Sequence, residues 1–245
     1  MKNSVPCYGR HSLSRTAGEG AERSEAGEGV CRSKTLTGRR SAAATLSRGA
    51  GEGNVTVPAW SEVQLAVGGA LRLARGDPRG LDFFDSSIDG FWRSFRAALI
   101  CYPFFLILLA FRVSAAHWEE SGVARILAIE TIGYVISWVA FPLLMLSLAR
   151  WLGREDRFLP FMVAYNWSQL PQTALFVILG ADAASGLFPH DVAQIADFAG
   201  AVAVLVYEWY IARVALAVSA SQAVSVVLLD LVLGSVLSRI TEALY

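Results

Sequence analysis

From Phe91 onward, the chain alternates between long runs of apolar side chains and short polar segments. A helix that crosses the hydrocarbon core of a bilayer needs about 20 mostly apolar residues. Five runs approach or reach this length, although the last is short and its boundary with the fourth is weakly marked: 97–113, 126–148, 158–179, 195–216 and 223–237. The pattern predicts an all-α fold, a polytopic membrane helix bundle of about five transmembrane helices within residues 97–240.

Residues 1–56 have a different composition, rich in Gly, Ser, Arg and Glu and almost without large apolar side chains. The stretch 13–20 recurs as 46–53 with a single change. Such a segment buries too little apolar surface to offset its ordering entropy, which predicts a disordered low-complexity tail. Two interpretations of it stay open. It is a flexible interaction tail, or it is repetitive upstream DNA translated from a mis-called start, with Val55 or Val57 as the true first residue.

Residues 57–96 are predicted to form a run-in, the segment that leads from the polar tail into the first membrane span. An amphipathic helix over 60–75 ends at the Gly- and Pro-containing segment 76–80, and Asp85 to Ser87 then provide a cap for a second helix. The aromatic residues and arginines of that second helix are typical of the headgroup layer. This favours a cytoplasmic, interfacial segment over the alternative, a short soluble helix that covers the end of the bundle.

Arginine placement predicts the orientation, because Lys and Arg in short loops stay in the cytoplasm. The segment before the first span and the loop between spans two and three carry most of them: Arg72, Arg75, Arg79, Arg93, Arg96, Arg150, Arg154 and Arg157. The loop 181–191 has none. The chain is therefore expected to be a multi-pass protein of the inner (plasma) membrane, with its N-terminus in the cytoplasm and its C-terminus outside.

Ionisable residues inside the predicted spans are functional candidates, since burying a charge in a bilayer is costly. Glu208, Arg213 and Asp230 belong to this group. If spans four and five form an antiparallel hairpin, Arg213 and Asp230 lie at similar depth, which favours a structural ion pair over a proton or ion relay. Glu130 in span two is interpreted as a residue at the level of the headgroups.

The third span is the most polar of the five. Asn166, Gln169 and Thr173 share one helix face, and Gln172 flanks it beside Pro171. Two functions for these amides compete. They form hydrogen bonds that hold the bundle together, or they line a path for a solute beside a kinked helix. The candidate polar site inside the membrane therefore comprises Asn166, Gln169, Gln172, Glu208, Arg213 and Asp230.

The rest of the composition argues against several classes of chemistry. Net charge is +0, which gives no electrostatic reason to expect nucleic acid as a partner. The cysteines and histidines show neither metal-binding nor redox spacing: Cys7, Cys31, Cys101, His11, His117 and His190. No pair of nucleophile and base is visible. We therefore expect no enzyme activity, no metal and no cofactor.

Three short strings resemble a known group of proteins. Phe91 to Phe95, Tyr165 to Trp167, and Trp209 to Leu216 followed by Asp230 are similar to small bacterial inner-membrane proteins of alphaproteobacterial type that have no assigned function. The resemblance covers about residues 58–240. The predicted architecture also loosely resembles the Yip-type five-helix membrane proteins, which implies a membrane-organising or adaptor role. Neither resemblance implies a catalytic residue.

These observations favour a non-enzymatic structural or interaction component of the membrane. Its partners would be the lipid bilayer together with other copies of the chain or other membrane proteins. The alternative is a small-solute or ion transporter or channel subunit. In a transporter, Asn166, Gln169 and Gln172 should face a cavity near Glu208 or Asp230. In a structural component, hydrogen bonds to neighbouring helices should occupy them.

Overall fold

The computed structural model describes residues 59–186 and 188–245. The predicted tail over 1–56, with its two interpretations, lies outside this range. The described residues form eight α-helices: α1 (Ala59–Ala74), α2 (Ile88–Ser94), α3 (Arg96–Arg112), α4 (Ala115–Ser121), α5 (Val123–Trp151), α6 (Phe158–Ser185), α7 (His190–Ala215) and α8 (Ala220–Glu242). Two short 3-10 helices, Pro78–Phe83 and Glu155–Arg157, precede α2 and α6.

The all-α membrane fold is confirmed. In the described part of the chain, four helical segments are long and apolar enough to cross a bilayer: Ile88–Arg112, Val123–Trp151, His190–Ala215 and Ala220–Glu242. Their outer faces carry exposed apolar side chains that water would not favour, such as Leu99 at 77% and Phe198 at 74% exposure. The protein is therefore an integral membrane protein with several spans.

Helix α6, the predicted third span, is not among those four. It is 28 residues long, ample for a crossing, but its middle carries the Asn, Gln and Ser residues of 166–172, which lower its apolar content. It is also the central helix of the bundle, packed against α1, α2, α3, α5 and α7. A helix surrounded by other helices can carry polar groups that a lipid-facing helix cannot.

The predicted spans have the right order but somewhat different ends. The first extends back to Ile88, since α2 and α3 are separated only by Phe95. The last is longer than predicted because α8 begins at Ala220, where Ser219 and Gln222 form a capping box. The turn between α7 and α8 is therefore tight and lies just before the capping box.

Successive long helices run antiparallel, which gives the bundle two ends. At the N-terminal end, the Tyr207 hydroxyl of α7 donates to the backbone oxygen of Ala70 in α1 at 2.7 Å. At the C-terminal end, Phe111 of α3 packs beside Gly180 of α6, where a Cβ atom would come within 2.8 Å of the ring. Each end collects one terminus of every long helix.

The predicted run-in is confirmed as helical and forms a cap on the N-terminal end of the bundle. Helix α1 buries Ala70 and Leu73, and the Ser87 side chain accepts a hydrogen bond from the Gly90 N–H at 3.0 Å, as its capping role requires. Glu62 of α1 joins the cap to the first span through an ion pair with Arg96 at 2.9 Å. The interfacial position of this segment stays a prediction.

A candidate cavity between four helices

A cavity of about 350 Å³ lies between α3, α5, α6 and α8. Gly234 on its wall leaves space that a larger side chain would fill, whereas Gly133 packs closely against Thr241. Gln169, Thr173 and Asp230 line it, and so does Asn166. Three of the six candidate residues, Asn166, Gln169 and Asp230, therefore line one cavity.

Asp230 lies at the centre of a hydrogen-bond network on the cavity wall. The Tyr165 hydroxyl of α6 donates to its carboxylate at 2.7 Å, and Gln169, one helical turn further along α6, lines the same cavity. Glu208 of α7 lies in hydrogen-bond contact with Asp230 from the side away from the cavity. At 1.5 Å rise per residue, Asp230 is about 15 Å from the start of α8, well inside the bundle.

The contact between Glu208 and Asp230 has an electrostatic consequence. Two ionised carboxylates side by side in a poorly solvated site repel strongly. Such a pair is stable when it shares a proton or when a cation lies beside it, and its two groups titrate as one unit. Of the two, Asp230 is the one that reaches the cavity. This site can therefore exchange a proton, or hold a positive charge that enters the cavity.

The predicted ion pair between Arg213 and Asp230 is wrong. The Arg213 guanidinium lies over the ring of Trp209, 5.4 Å from its centroid, on the same helix. None of the salt bridges among the described residues includes Asp230. The two side chains leave the α7–α8 hairpin on different faces, and equal depth in a hairpin does not fix the direction of a side chain.

Asn166 and Gln172 have partners within the protein. The Asn166 amide donates to the Ser94 hydroxyl of α2 at 2.8 Å, and both residues are buried. Gln172 donates to Ser168 of its own helix at 3.2 Å and does not line the cavity. Asn166 thus holds two helices together while one side of it reaches the cavity. Bonding between helices therefore occurs at Asn166, whereas a solute path beside the α6 amides stays a prediction.

Glu130 is buried in the protein, and its level relative to the headgroups stays a prediction. It is 4% exposed and accepts a 2.5 Å hydrogen bond from Arg112 and a 2.9 Å bond from the Tyr245 hydroxyl. Arg112 also donates to Ser238 of α8 at 3.2 Å. This group, Arg112 with Glu130, Ser238 and Tyr245, is the Arg112 cluster. Its first three members line the cavity toward the C-terminal end of the bundle.

The Arg112 cluster was not predicted from the sequence. A usable signal was present. Arg112 ends α3 and Glu130 is eight residues into α5, and these two helix ends meet at the same end of the bundle. Opposite charges at adjacent ends of consecutive antiparallel helices form a common pairing pattern. The short α4 between them makes the pairing hard to find from spacing alone.

The aromatic character of the walls was not predicted from the sequence either. Rings from α3, α5 and α6 line the cavity: Phe105, Tyr134, Trp138, Phe141 and Tyr165. They pack in groups, with ring centroids 4.7 Å apart for Phe105 and Tyr134 and 4.2 Å apart for Phe141 and Tyr165. Tyr134, Trp138 and Phe141 follow the i, i+4, i+7 spacing of one helix face, which is the signal that identifies this wall.

Comparison of the chain with protein-family models, with curated proteins and with solved structures finds no match. The resemblance to bacterial inner-membrane proteins and to Yip-type proteins therefore stays a prediction. Within the described residues, no group of three or more His, Cys, Asp or Glu side chains could hold a metal ion.

Proposed function

We propose that this integral membrane protein binds a small solute in the cavity between α3, α5, α6 and α8, as a transporter or a channel subunit does. The observation that carries the proposal is the Asp230 carboxyl, which reaches an open space about 15 Å inside the bundle. A charged group at this depth is costly and is typical of solute and ion paths. The cavity volume of about 350 Å³ is within the range of small-molecule sites, about 300–1,000 Å³.

The proposal includes α6 as a fifth span, with the N-terminus in the cytoplasm. The length of α6 and its central position support a crossing, since its polar residues contact other helices or the cavity instead of lipid. The arginines at the N-terminal end of the bundle support this end as the cytoplasmic one of an inner membrane.

A non-enzymatic structural role is the second candidate function. The bond between Asn166 and Ser94 favours it, because this bond uses a buried amide to join two helices. In this role the protein would act through contacts with lipid, other copies of itself or other membrane proteins, as the Yip-type resemblance implies.

Water access to the cavity distinguishes the two functions. On a background without Cys7, Cys31 and Cys101, single cysteines would be labelled in membrane vesicles with a small charged thiol reagent. We expect labelling of Gln169→Cys, whose position lines the cavity. Its matched control, Gln172→Cys, should stay unlabelled, since this residue of the same helix is 5% exposed and turned away.

Two further outcomes would decide against the solute-binding proposal. The lipid-facing control Val232→Cys should not react with a charged reagent, although Val232 is 58% exposed. If Val232→Cys reacts as strongly as Gln169→Cys, the reagent also reaches lipid-facing positions, and labelling of Gln169→Cys does not show that the cavity holds water. If neither Gln169→Cys nor Thr173→Cys reacts while an exposed loop cysteine at Asp156 does, the bundle is dry and the structural role stands.

A further inference from the structure

We propose that the solute is a small organic ammonium ion, whose cationic group lies beside Asp230 and whose carbon atoms contact the aromatic walls. This inference rests on the proposed solute-binding function and adds the chemical class of the ligand. Two independent features of the cavity carry it, the charge of its lining and the nature of its walls.

The charge of the lining selects a cation. Three charged side chains reach the cavity: Arg112, Glu130 and Asp230. Arg112 and Glu130 form an ion pair with each other, so their charges largely cancel. Asp230 has no salt-bridge partner in the described part of the chain, and its other contacts are the Tyr165 hydroxyl and the Glu208 carboxyl. The lining therefore carries an excess of negative charge, which attracts a cation and repels an anion.

The walls select the kind of cation. The negative face of an aromatic ring attracts an organic ammonium ion, and aromatic cages are a recurrent site for such ligands. Five aromatic side chains from three helices surround the same space as Asp230. Calcium and magnesium ions prefer six or more oxygen ligands, which aromatic rings do not supply. The combination of one carboxylate with several rings therefore fits an ammonium group that carries methyl or methylene substituents.

The probe for the first test is choline, compared with 3,3-dimethylbutan-1-ol, which has nearly the same shape and no charge. Binding to the full chain in lipid nanodiscs would be measured by isothermal titration calorimetry. We expect choline to bind about tenfold or more tightly than the neutral alcohol, since the alcohol lacks the attraction to Asp230 and to the ring faces. Acetate should not bind. Equal binding of choline and the alcohol, or tighter binding of acetate, would overturn the inference.

Two pairs of variants locate the site. Asp230→Asn should abolish choline binding, whereas Asp197→Asn, at an exposed residue of α7 outside the cavity, should keep it. Trp138→Leu should weaken binding about tenfold, whereas Trp151→Leu, at a tryptophan that is 78% exposed and outside the cavity, should not. Gel filtration and thermal unfolding would identify a variant that fails to fold. If the two members of either pair bind choline equally, the ammonium site is not at Asp230.

The labelling experiment separates failure of this inference from failure of the proposed function. Choline should protect Gln169→Cys from the charged thiol reagent. If this cysteine reacts and choline gives no protection, the cavity is water-filled and solute binding stands, but the ammonium inference is wrong. If the cysteine does not react at all, the proposed function itself is wrong.

Discussion

The Tyr165 hydroxyl donates a 2.7 Å hydrogen bond to the Asp230 carboxylate, and this bond joins the central helix α6 to α8 on the wall of the cavity. Tyr165 also stacks on Phe141 of α5, with centroids 4.2 Å apart. One side chain thus contacts two neighbouring helices and fixes the direction of the carboxylate. The position of Asp230 in the cavity depends on this tyrosine.

Replacing Tyr165 with phenylalanine should lower choline affinity, because Asp230 loses the bond that orients it. Loss of one such bond between membrane helices costs about 0.6 kcal/mol on average, so the fold should persist. Tyr207→Phe is the matched control, since it removes a hydroxyl bond of the same length at the N-terminal end of the bundle. Calorimetry should show weaker binding only for Tyr165→Phe. Equal losses would mean that Tyr165 has a structural role alone.

Gly234→Leu should block the cavity without harming the fold. Gly234 lines the cavity, and no atom lies within 4 Å of the position that a Cβ would take there. Leucine also favours a helix over glycine by about 0.8–1 kcal/mol. Choline binding should therefore fall while the melting temperature holds or rises. Gly68→Ala, a helical glycine with equally open space outside the cavity, should raise stability and leave binding intact. A variant of Gly234 that still binds choline normally would contradict the assigned site.

Arg112→Leu should destabilise the protein strongly, because it leaves the Glu130 carboxylate buried without its cation. Breaking a fully buried pair costs about 3–5 kcal/mol, and a smaller loss of about 2–3 kcal/mol is expected here because Arg112 is 41% exposed. The double variant Arg112→Leu with Glu130→Leu should recover much of that loss. Thermal unfolding in detergent measures both. If the double variant is as unstable as the single one, the unpaired charge is not the cause.

The cap at the N-terminal end should be sensitive to acid through Asp85. Burial raises the pKa of this carboxyl, but hydrogen bonds from Ser87 and the Arg93 guanidinium outweigh burial, so the pKa is below its ordinary value of 3.8. A pKa that is lower in the folded state gives stability above the unfolded-state pKa, and this stability is lost as the pH falls through the folded-state value. Tryptophan fluorescence between pH 5 and about pH 2 should report loosening of the cap. Asp85→Asn should remove this transition; an unchanged transition would exclude Asp85.

If α6 crosses the membrane as a fifth span, the two loops that flank it lie on opposite sides of the membrane. Cysteines at Asp156 and Asp191 test it, since these exposed residues follow α5 and begin α7. A membrane-impermeant reagent should label only Asp191→Cys in intact cells and only Asp156→Cys in inverted vesicles. Labelling of both from one side would mean that α6 does not cross.

The spans were predictable because each is longer than soluble core helices usually are and is almost free of charge. The polar face of α6 was equally visible, since 3.6-residue periodicity places Asn166, Gln169 and Thr173 together whatever surrounds them. Three of the six candidate site residues line the cavity, and Glu208 touches one of them. Local periodicity thus predicts which polar groups of α6 share a face, and their role as a site stays a prediction.

Pairing between helices was not predictable in the same way. Depth along a hairpin placed Arg213 beside Asp230, but the rotation of each helix decides which side chains meet, and packing of the whole bundle sets that rotation. The same reason hid the aromatic walls, which combine residues from α3, α5 and α6. Asp230 meets Tyr165 across 65 positions of sequence.

The polar middle of α6 also affects how the chain is made. In the five-span arrangement, a ribosome-bound translocon must release α6 into lipid although its amides insert poorly when alone. In the folded bundle, Tyr165 of α6 bonds to Asp230 of α8, and Asn166 of α6 bonds to Ser94 of α2. Of these two partners, only Ser94 has been synthesised when α6 emerges. The α8 segment follows later, so membrane integration of α6 would be completed after translation has passed Asp230.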